Sequence, residues 1–421
     1  VWGAAASSTH AKSAPAPALS LSLPDKPSIA VLPFQNMSGD PEQEYFVDGL
    51  VEDIITALSR CSSLLVIARN SSFIYKGRAI DIKQVGRELG VRYVLEGSVR
   101  KTGGRVRITG QLIQAATGAH LWADRFDGAL EDVFELQDKV TASVVGCVLP
   151  RLDAAELDRL RLKPVENFNA FDCVLRGRAL MADPAVEDKS EGLKLAYRAI
   201  DLDPAYAPGY GLVARYHVNQ HMQDTSKRPD EDRAEIRRIV ALLPGMRHED
   251  AEATAWVGFA LAAVCYDVEK ADELINRSLV ANGNLPRTLQ QKAAVSVWRG
   301  EHEKGMEFGL RAIALNPFDQ AIFAAQLNVG HALLGLGRPA EAAAWFTKSL
   351  AIHPNWMQGV RAAASAHALS GNLDEARHLV RRLLEIAPGM TVSRSRDTMH
   401  MRRPQDNERL LEGLRLAGLP E

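Results

Sequence analysis

Six segments of this chain end in nearly the same way, with a basic residue, a mostly apolar run and a Pro. Three of them read RAIDLDP, RAIALNP and KSLAIHP, and end at Pro204, Pro317 and Pro354. In one copy a Gly, Gly283, takes the place of the Pro. The six ends fall 34 to 40 residues apart, at positions 204, 244, 283, 317, 354 and 388. A period near 34 residues is typical of paired-helix repeats, in which longer copies carry loop insertions.

One copy, GRPAEAAAWFTKSLAIHP, begins at a Gly and continues as an amphipathic helix. Its packing side consists of Ala340, Ala343, Ala344, Phe346 and Leu350. The closing Pro stops the helix because it lacks an N–H group and clashes with the preceding turn. A single helix hairpin cannot bury its apolar face, but stacked hairpins form a continuous core. The sequence therefore predicts an all-α solenoid of about six hairpins over 165–390, with a C-terminal capping segment at 391–421.

Residues 29–150 have a different pattern, in which short apolar or alternating runs are separated by amphipathic helices. Strand candidates are residues 28–34, 64–69, 91–100, 105–113 and 120–126. Helix candidates lie at 46–58, 81–90 and 131–144, the last with Glu131 and Asp132 in its first turn. Gly103–Gly104 is typical of a hairpin turn. The predicted order is β-α-β-α-β-β-β-α, an α+β domain with its helices on one face of the sheet.

The beginning of the chain, residues 1–28, is rich in Ala, Ser and Pro and predicts a flexible linker. The chain starts at Val1 rather than Met, so we expect another module or a membrane anchor before it. Basic and acidic residues nearly balance, with 13 against 15 in 29–150 and 35 against 36 in 151–421. This balance argues against binding of nucleic acid by these regions.

Several residue groups are candidate sites of chemistry. The cysteines are widely spaced, without a C-x-x-C pair, which argues against structural zinc and favours four small buried side chains, Cys61, Cys147, Cys173 and Cys265. His217 and His221 share a helix face, with Asp224 as the one near third ligand, but the H-E-x-x-H frame of zinc enzymes is missing. We therefore predict no metal site and no cofactor.

Two charged groups have a simpler interpretation than catalysis or nucleic-acid binding. The acidic cluster lies in a loop and the first turns of a helix, where carboxylates are normally solvated, and consists of Asp40, Glu42, Glu44, Asp48, Glu52 and Asp53. A basic hairpin without interleaved aromatics indicates a solvated strand face or a protein-contact patch, and contains Arg100, Lys101, Arg105 and Arg107. No Walker A, G-x-S-x-G or G-x-G-x-x-G motif is present, so we predict no catalytic residue.

Long stretches of 28–150, including SIAVLPFQNMSGDPEQEYFVDGLVEDIITALSR and VGRELGVRYVLEGSVRK, resemble the TolB-like N-terminal domain. The repeats over roughly 168–390 resemble the tetratricopeptide family, most clearly at LGLGRPAEAAAWFTKSLAIHP. Bacterial fusions of the two resemble the C-terminal part of class III adenylate cyclases and of CadC-like winged-helix regulators. The resemblance implies a non-catalytic sensory or scaffolding region of a membrane-linked signalling protein. It also implies the periplasmic side of the inner membrane, with the cytoplasm left open.

The leading hypothesis is that the solenoid groove binds a peptide or protein partner. Residues expected to line the groove lie on the first helix of each pair, and are Tyr210, Arg215, His217, Trp256, Trp298, Asn328, His331, Arg361 and His367. The second hypothesis is a small-ligand sensor that controls an upstream enzyme. Its expected ligand loop, RNSS, follows a strand and consists of Arg69, Asn70, Ser71 and Ser72. The third hypothesis is an enzyme of an unrecognised class.

Overall fold

The computed structural model describes residues 26–40, 43–61, 63–78, 80–102, 105–129, 133–182, 186, 188–223, 225–246, 250–315, 322–397 and 401–421. The predicted linker at 1–28 lies almost wholly outside these ranges. Other features of the sequence interpretation also lie outside them, namely the Gly103–Gly104 turn, Glu42, Glu131, Asp132, Asp224 and Pro317.

The first part of the chain forms one mixed sheet. Its strands are β1 (Ser28–Val31), β2 (Gln35–Asn36), β3 (Leu65–Val66), β4 (Tyr93–Thr102), β5 (Arg105–Gln114) and β6 (Ala119–Ala129). The helices of this part are α1 (Glu44–Ser59), α2 (Arg69–Ser72), α3 (Ile82–Leu89) and α4 (Val133–Leu160). The strand order is β3-β1-β4-β5-β6, with β1 parallel to β3 and β4, and with β4, β5 and β6 antiparallel. The short elements β2 and α2 are present in the structure but not in the predicted order.

Helices cover the sheet on both faces, which corrects the prediction that they lie on one. Ile29 and Val31 of β1 belong to a core shared with α1 and α4. Ala30 and Leu32 belong to a second core, which includes Val85 of α3. The physical reason is that β1 is a central parallel strand. Such strands are buried on both sides, and this is why the run SIAVL is continuously apolar instead of alternating.

The long helix α4 runs past residue 150, the expected end of the first domain. It spans 28 residues and contains Pro150 in its interior. Val140, Val144, Val148 and Leu152 form a buried stripe at helical spacing that packs against the sheet core. Helix α4 also contacts the helical array, so one continuous element joins the two parts of the molecule.

The second part of the chain, within the described residues, is a row of six helix hairpins. The first helices of the hairpins are α5 (Ala170–Ala182), α7 (Ala207–Met222), α9 (Ala251–Cys265), α11 (Pro286–Trp298), α13 (Ile322–Gly335) and α15 (Met357–Leu369). The second helices are α6 (Ser190–Leu202), α8 (Pro229–Leu242), α10 (Val268–Ala281), α12 (His302–Leu315), α14 (Pro339–Ile352) and α16 (Leu373–Ile386). Each hairpin packs on the next, which is the arrangement expected of a repeat solenoid.

The repeated sequence signal coincides with the helix ends. The second helices end at Leu202, Leu242, Ala281, Leu315, Ile352 and Ile386. Each of these residues stands two positions before the recurring Pro or Gly identified from the sequence. In the copies that carry Pro, its ring and its missing N–H group stop the second helices at equivalent points, as the opening pattern predicts.

The C-terminal segment forms two further helices, α17 (Val392–Asp397) and α18 (Pro404–Leu416). Helix α18 lies against α15 and touches α13. Its side chains Leu410, Leu411 and Leu414 are buried in the same core as Val360 of α15. Ser365 donates a hydrogen bond to the Leu410 carbonyl at 2.9 Å. The predicted capping segment thus packs on the first helices of the last two hairpins.

A buried ionic network links the sheet, α4 and the first hairpin. The fully buried Glu156 of α4 accepts from the Arg92 guanidinium at 2.9 Å and from the Tyr93 hydroxyl at 2.9 Å. Arg159 donates to Glu156 at 2.7 Å and to Asp172 of α5, also fully buried, at 3.0 Å. Lys163 also donates to Asp172, so both buried carboxylates have hydrogen-bond donors on their oxygens and neither is left unpaired.

We expect Glu156→Ala to lower the free energy of unfolding by about 3 kcal/mol, because it leaves buried donors without an acceptor. The exposed Asp158 of the same helix, paired with Arg161 at 3.2 Å, provides the control. Asp158→Ala should change stability by less than about 0.5 kcal/mol. Urea unfolding followed by circular dichroism measures both. Equal small losses in the two variants would show that the network does not hold the two parts together.

Candidate functional site

The expected ligand loop forms the four-residue helix α2. The Arg69 guanidinium lies 3.8 Å from the Asp48 carboxylate and 3.6 Å from that of Glu52, both on α1. It also covers the Phe73 ring, 3.8 Å from the ring centroid. Ser72 is buried and donates to the Arg69 carbonyl at 3.1 Å. These side chains bind their own neighbours, and ligand binding at this loop stays a prediction.

All of the expected groove residues lie on first helices, but several are enclosed by the fold. Tyr210, Asn328 and Arg361 are buried. The Tyr210 hydroxyl donates to the Pro204 carbonyl at 3.0 Å, and the Asn328 amide donates to the Gln290 carbonyl at 2.9 Å. These bonds tie Tyr210 and Asn328 to the array itself, and their role in partner binding stays a prediction.

The aromatic and histidine candidates are also engaged within the array. Trp298 stacks on Phe259 with ring centroids 5.4 Å apart and an interplanar angle of 11°. The His217 ring lies 3.0 Å from the Asp232 carboxylate, and its pKa is lowered by burial against the opposing effect of that carboxylate. Burial also lowers the pKa of His367. No group of three His, Cys, Asp or Glu side chains among the described residues could hold a metal ion.

Two candidates, Arg215 and Trp256, line a recess between the sheet domain and the first three hairpins. The recess is open to solvent, and its enclosed part measures about 40 Å³. Its lining comes from the loop after α1, from α5, α7 and α9, and from the residues just before α7 and α9, and comprises Ser63, Phe171, Val174, Leu175, Arg178, Tyr206, Pro208, Gly211, Leu212, Arg215, Asp250, Glu252, Ala253 and Trp256. We refer to this set as the junction recess.

A charged cluster lies at the wall of the junction recess. The Arg178 guanidinium lies 3.3 Å from the Asp153 carboxylate of α4 and 3.6 Å from the Glu252 carboxylate of α9. The three side chains keep exposures of 32%, 36% and 36%, so solvent still reaches them. Helices α5 and α9 thus present opposite charges to the recess, and Asp153 of α4 adds a second carboxylate beside Arg178.

The pKa values of the two carboxylates in this cluster depend on burial and on the neighbouring charges. Burial raises the pKa of Asp153, and Arg178 opposes this effect only in part. Burial also acts to raise the pKa of Glu252, but Arg178, Arg215 and Arg287 outweigh it and hold that pKa below its ordinary value. Glu252 is therefore the firmly ionised carboxylate at this opening.

The neighbourhood extends to the end of α1. Burial raises the pKa of the Cys61 thiol to about 12, and the negative charges of Glu252, Asp250 and Asp153 add to this effect. Asp250 accepts from the Ala253 N–H at 2.7 Å and so caps α9. Arg215 lies over the Trp256 ring, 5.3 Å from its centroid. The recess combines hydrogen-bond donors, carboxylates and an aromatic surface, which suits binding of a ligand with both polar and apolar parts.

The sequence interpretation missed Arg178, Asp250 and Glu252. Asp250 and Glu252 stand in the pattern expected of an N-cap and first helical turn, which has an ordinary structural explanation. Arg178 stands on α5 without any motif. No spacing in the sequence could bring Asp153, Arg178 and Glu252 together, because their proximity depends on how α4, α5 and α9 pack.

The described helices include none that is long and apolar enough to span a bilayer. Residues 25–143 match the family model of the HilA/YgeH-like transcriptional regulator, second domain. A curated protein of Rhizobium meliloti (strain 1021), named "Putative adenylate cyclase 3", is 50% identical over 192 residues. That match covers 46% of this chain and 33% of the relative, so the chain spans about a third of the relative's length.

Two solved structures show weaker similarity. The Cut9–Hcn1 hetero-tetramer of the APC/C has 15% identity and a TM-score of 0.43, with 68% of this chain and 49% of that chain covered. TolB from Acinetobacter baumannii has 17% identity and a TM-score of 0.23, with 31% of this chain and 30% of that chain covered. Scores this low establish no shared fold, and the TolB-like resemblance stays a prediction.

The pH dependence of stability tests whether the groove candidate His331 of α13 is enclosed by the fold. Burial, with the charges of Arg361 and His302, lowers its pKa to about 3, and its ring meets Phe346 of α14 at 5.1 Å. The unfolded chain takes up this proton near pH 6.5, whereas the folded chain resists it until about pH 3. Stability should therefore fall as pH decreases through this window.

We expect His331 to lower the free energy of unfolding by about 1 kcal/mol for each unit that the pH falls between pH 6 and 4. His331→Gln should flatten the decline, while the same change at the exposed His378 of α16 should leave it intact. Urea unfolding at a series of pH values measures the slopes. If His331→Gln shows the same slope of stability against pH as the wild type, the His331 ring is solvated and faces an open groove.

Proposed function

We propose that this chain is a non-catalytic interaction region of a bacterial signalling protein, and that it binds a peptide segment of a protein partner at the junction recess. The observation that carries the proposal is the meeting of Arg178, Glu252 and Asp153 beside the Arg215–Trp256 pair. Rows of helix hairpins generally serve to bind other proteins. The relative named as an adenylate cyclase and the regulator-type family model support a signalling context.

The recess differs from the groove that the sequence predicts along all first helices. Only the portion formed by α5, α7 and α9 contributes to it. At the other end of the array, α18 lies on α15 and α13. A partner segment at the recess would contact both the sheet domain and the hairpins, so its binding could alter how the two are held. The expected membrane anchor and periplasmic placement remain predictions of the resemblance.

The recess chemistry suggests which peptides fit. The ionised Glu252 carboxylate favours a basic side chain, and the guanidinium of Arg215 favours a carboxylate or a backbone carbonyl. Trp256 and Leu212 border the recess but are nearly enclosed, with exposures of 9% and 3%, so they offer a partner only narrow apolar edges. A segment with a basic residue beside an apolar one therefore matches the opening better than a uniformly acidic or basic one.

The probe for this proposal is a random 12-residue peptide library, selected against the full chain and then measured by fluorescence anisotropy. Glu252→Gln and Arg215→Ala should each weaken the selected peptides at least about tenfold, since charged groups at the centre of an interface dominate its energy. Glu273→Ala on the exposed side of α10 provides the control and should leave affinity unchanged. Selected peptides that bind both recess variants as tightly as the wild type would refute the recess as the site.

The second candidate function is a small-ligand sensor. The enclosed part of the recess, about 40 Å³, is well below the roughly 300–1,000 Å³ of drug-sized pockets, so a ligand bound there would insert only a small group. A ligand that binds the native state raises the melting temperature as its occupancy increases. A thermal-shift screen with amino acids, nucleotides and amines, in the wild type and Glu252→Gln, separates the two functions. The sensor is favoured if one compound stabilises the wild type but not Glu252→Gln, and if the peptide library yields no binder.

A further inference from the structure

The sheet ends in a long strand whose outer side pairs with no other described strand. β6 covers 11 residues, Ala119–Ala129, and pairs with β5 on its inner side. The opposite edge strand, β3, has only two residues. An unpaired row of backbone N–H and C=O groups is a ready template for another strand.

The ladder hydrogen bonds show which backbone groups of β6 point outward. The Leu95 and Val99 carbonyls of β4 accept from Leu32 and Met37 at 2.8 Å each, so these alternate residues of β4 face β1 and β2. The intervening residue Ser98 therefore faces β5. Its partner in β5 is Thr109, which pairs with Arg125 of β6.

The backbone groups of Thr109 point toward β4 and therefore away from β6. In an antiparallel pair, the backbone groups of two opposite residues point either toward each other or away from each other, so those of Arg125 point away from β5. The same holds for Ala123 and Asp127, which stand two positions before and after it. A separate contact agrees with this assignment, since the Arg125 N–H donates to the Asp124 carboxylate at 2.7 Å instead of to β5. The outer edge of β6 thus offers three successive outward-facing residues.

The side chains along this edge alternate in character. Arg125 and Asp127 lie on one sheet face with exposures of 59% and 50%. Phe126 lies on the other face, where it packs partly against the core shared with α1 and α4 and meets Trp122 at 6.4 Å. The Asp127 carboxylate also accepts from Arg107 of β5 at 2.7 Å, which holds it in place on the open face.

We propose that this edge pairs with the same edge of a second copy of the chain, antiparallel and with Phe126 on the two-fold axis. In this register Arg125 stands opposite Asp127 of the second copy, and symmetry makes the pair twice. The outward backbone groups of the same residues then form the hydrogen-bonded pairs of the ladder. The two sheets become one continuous sheet, and both Phe126 rings come together on the covered face.

The charges select this register from the alternatives that also match outward groups. Shifting the axis to Arg125 places two Arg125 side chains opposite each other, which is destabilising. Shifting it to Asp124 places two carboxylates opposite each other and leaves Arg125 opposite Ala123. Of these three registers, the axis at Phe126 alone brings opposite charges together without a like-charge pair. Charged residues on an edge can also serve to prevent pairing, and the experiment decides between the two roles.

The experiment uses the full chain and measures mass against concentration by analytical ultracentrifugation. We expect the wild type to form dimers, and we expect Arg125→Glu and Asp127→Arg each to weaken dimerisation at least about tenfold, because each variant sets like charges opposite each other. An equal mixture of the two variants should dimerise again. In the mixed dimer the introduced carboxylate of one variant meets the introduced guanidinium of the other, and the unchanged Asp127 meets the unchanged Arg125. Arg100→Glu, on the same face but within the sheet, is the matched control.

A wild type that stays monomeric at every concentration would overturn the proposal and assign the charges a protective role. Dimers that persist in both single variants would place the interface elsewhere and overturn it as well. The register has its own test in oxidative cross-linking. Phe126→Cys should form a covalent dimer across the axis, because the two residues of a non-hydrogen-bonded antiparallel pair lie close enough for a disulfide. Asp124→Cys should not, because in this register Asp124 stands opposite Gly128 and not opposite itself. Cross-linking through Asp124→Cys alone would refute the proposed register.

Discussion

The structure depends on two buried carboxylates, Glu156 of α4 and Asp172 of α5, and on the basic side chains that bind them. Glu156 and Asp172 are fully buried, and each would be strongly destabilising without its guanidinium partners. Arg159 bonds both carboxylates and so ties α4 to α5, as the Arg178–Asp153 pair also does. Arg92 and Tyr93 couple the same helix to the sheet. The relative placement of sheet and hairpins therefore follows from satisfying these charges.

The junction recess is a consequence of that placement. Once α4 is anchored, its Asp153 faces Arg178 of α5, and Arg178 in turn faces Glu252 of α9. The opening lies where two separate cores meet, and such places often bind ligands because packing there is incomplete. A partner bound there, as we propose, would contact both the sheet domain and the hairpins.

Most of the expected groove residues serve the solenoid itself. Each first helix lies between its own hairpin partner and the neighbouring hairpins, so a residue on any of its faces can be buried. Tyr210 and Asn328 bond carbonyls of neighbouring segments, and Trp298 stacks on Phe259. Periodicity identifies the helix on which a residue lies, but it does not identify which face of a first helix stays open. Arg215 and Trp256 reach the recess because α7 and α9 border the sheet domain.

Local structure follows from short-range patterns in the sequence. The Pro and Gly positions predicted where second helices end, and apolar spacing predicted the main strands and helices, because both effects act within a few residues. Long-range packing, by contrast, places helices on both sheet faces, continues α4 through Pro150, and brings Arg178, Asp153 and Glu252 together. These features depend on contacts between residues far apart in the chain, and no local pattern encodes the distance between packed helices.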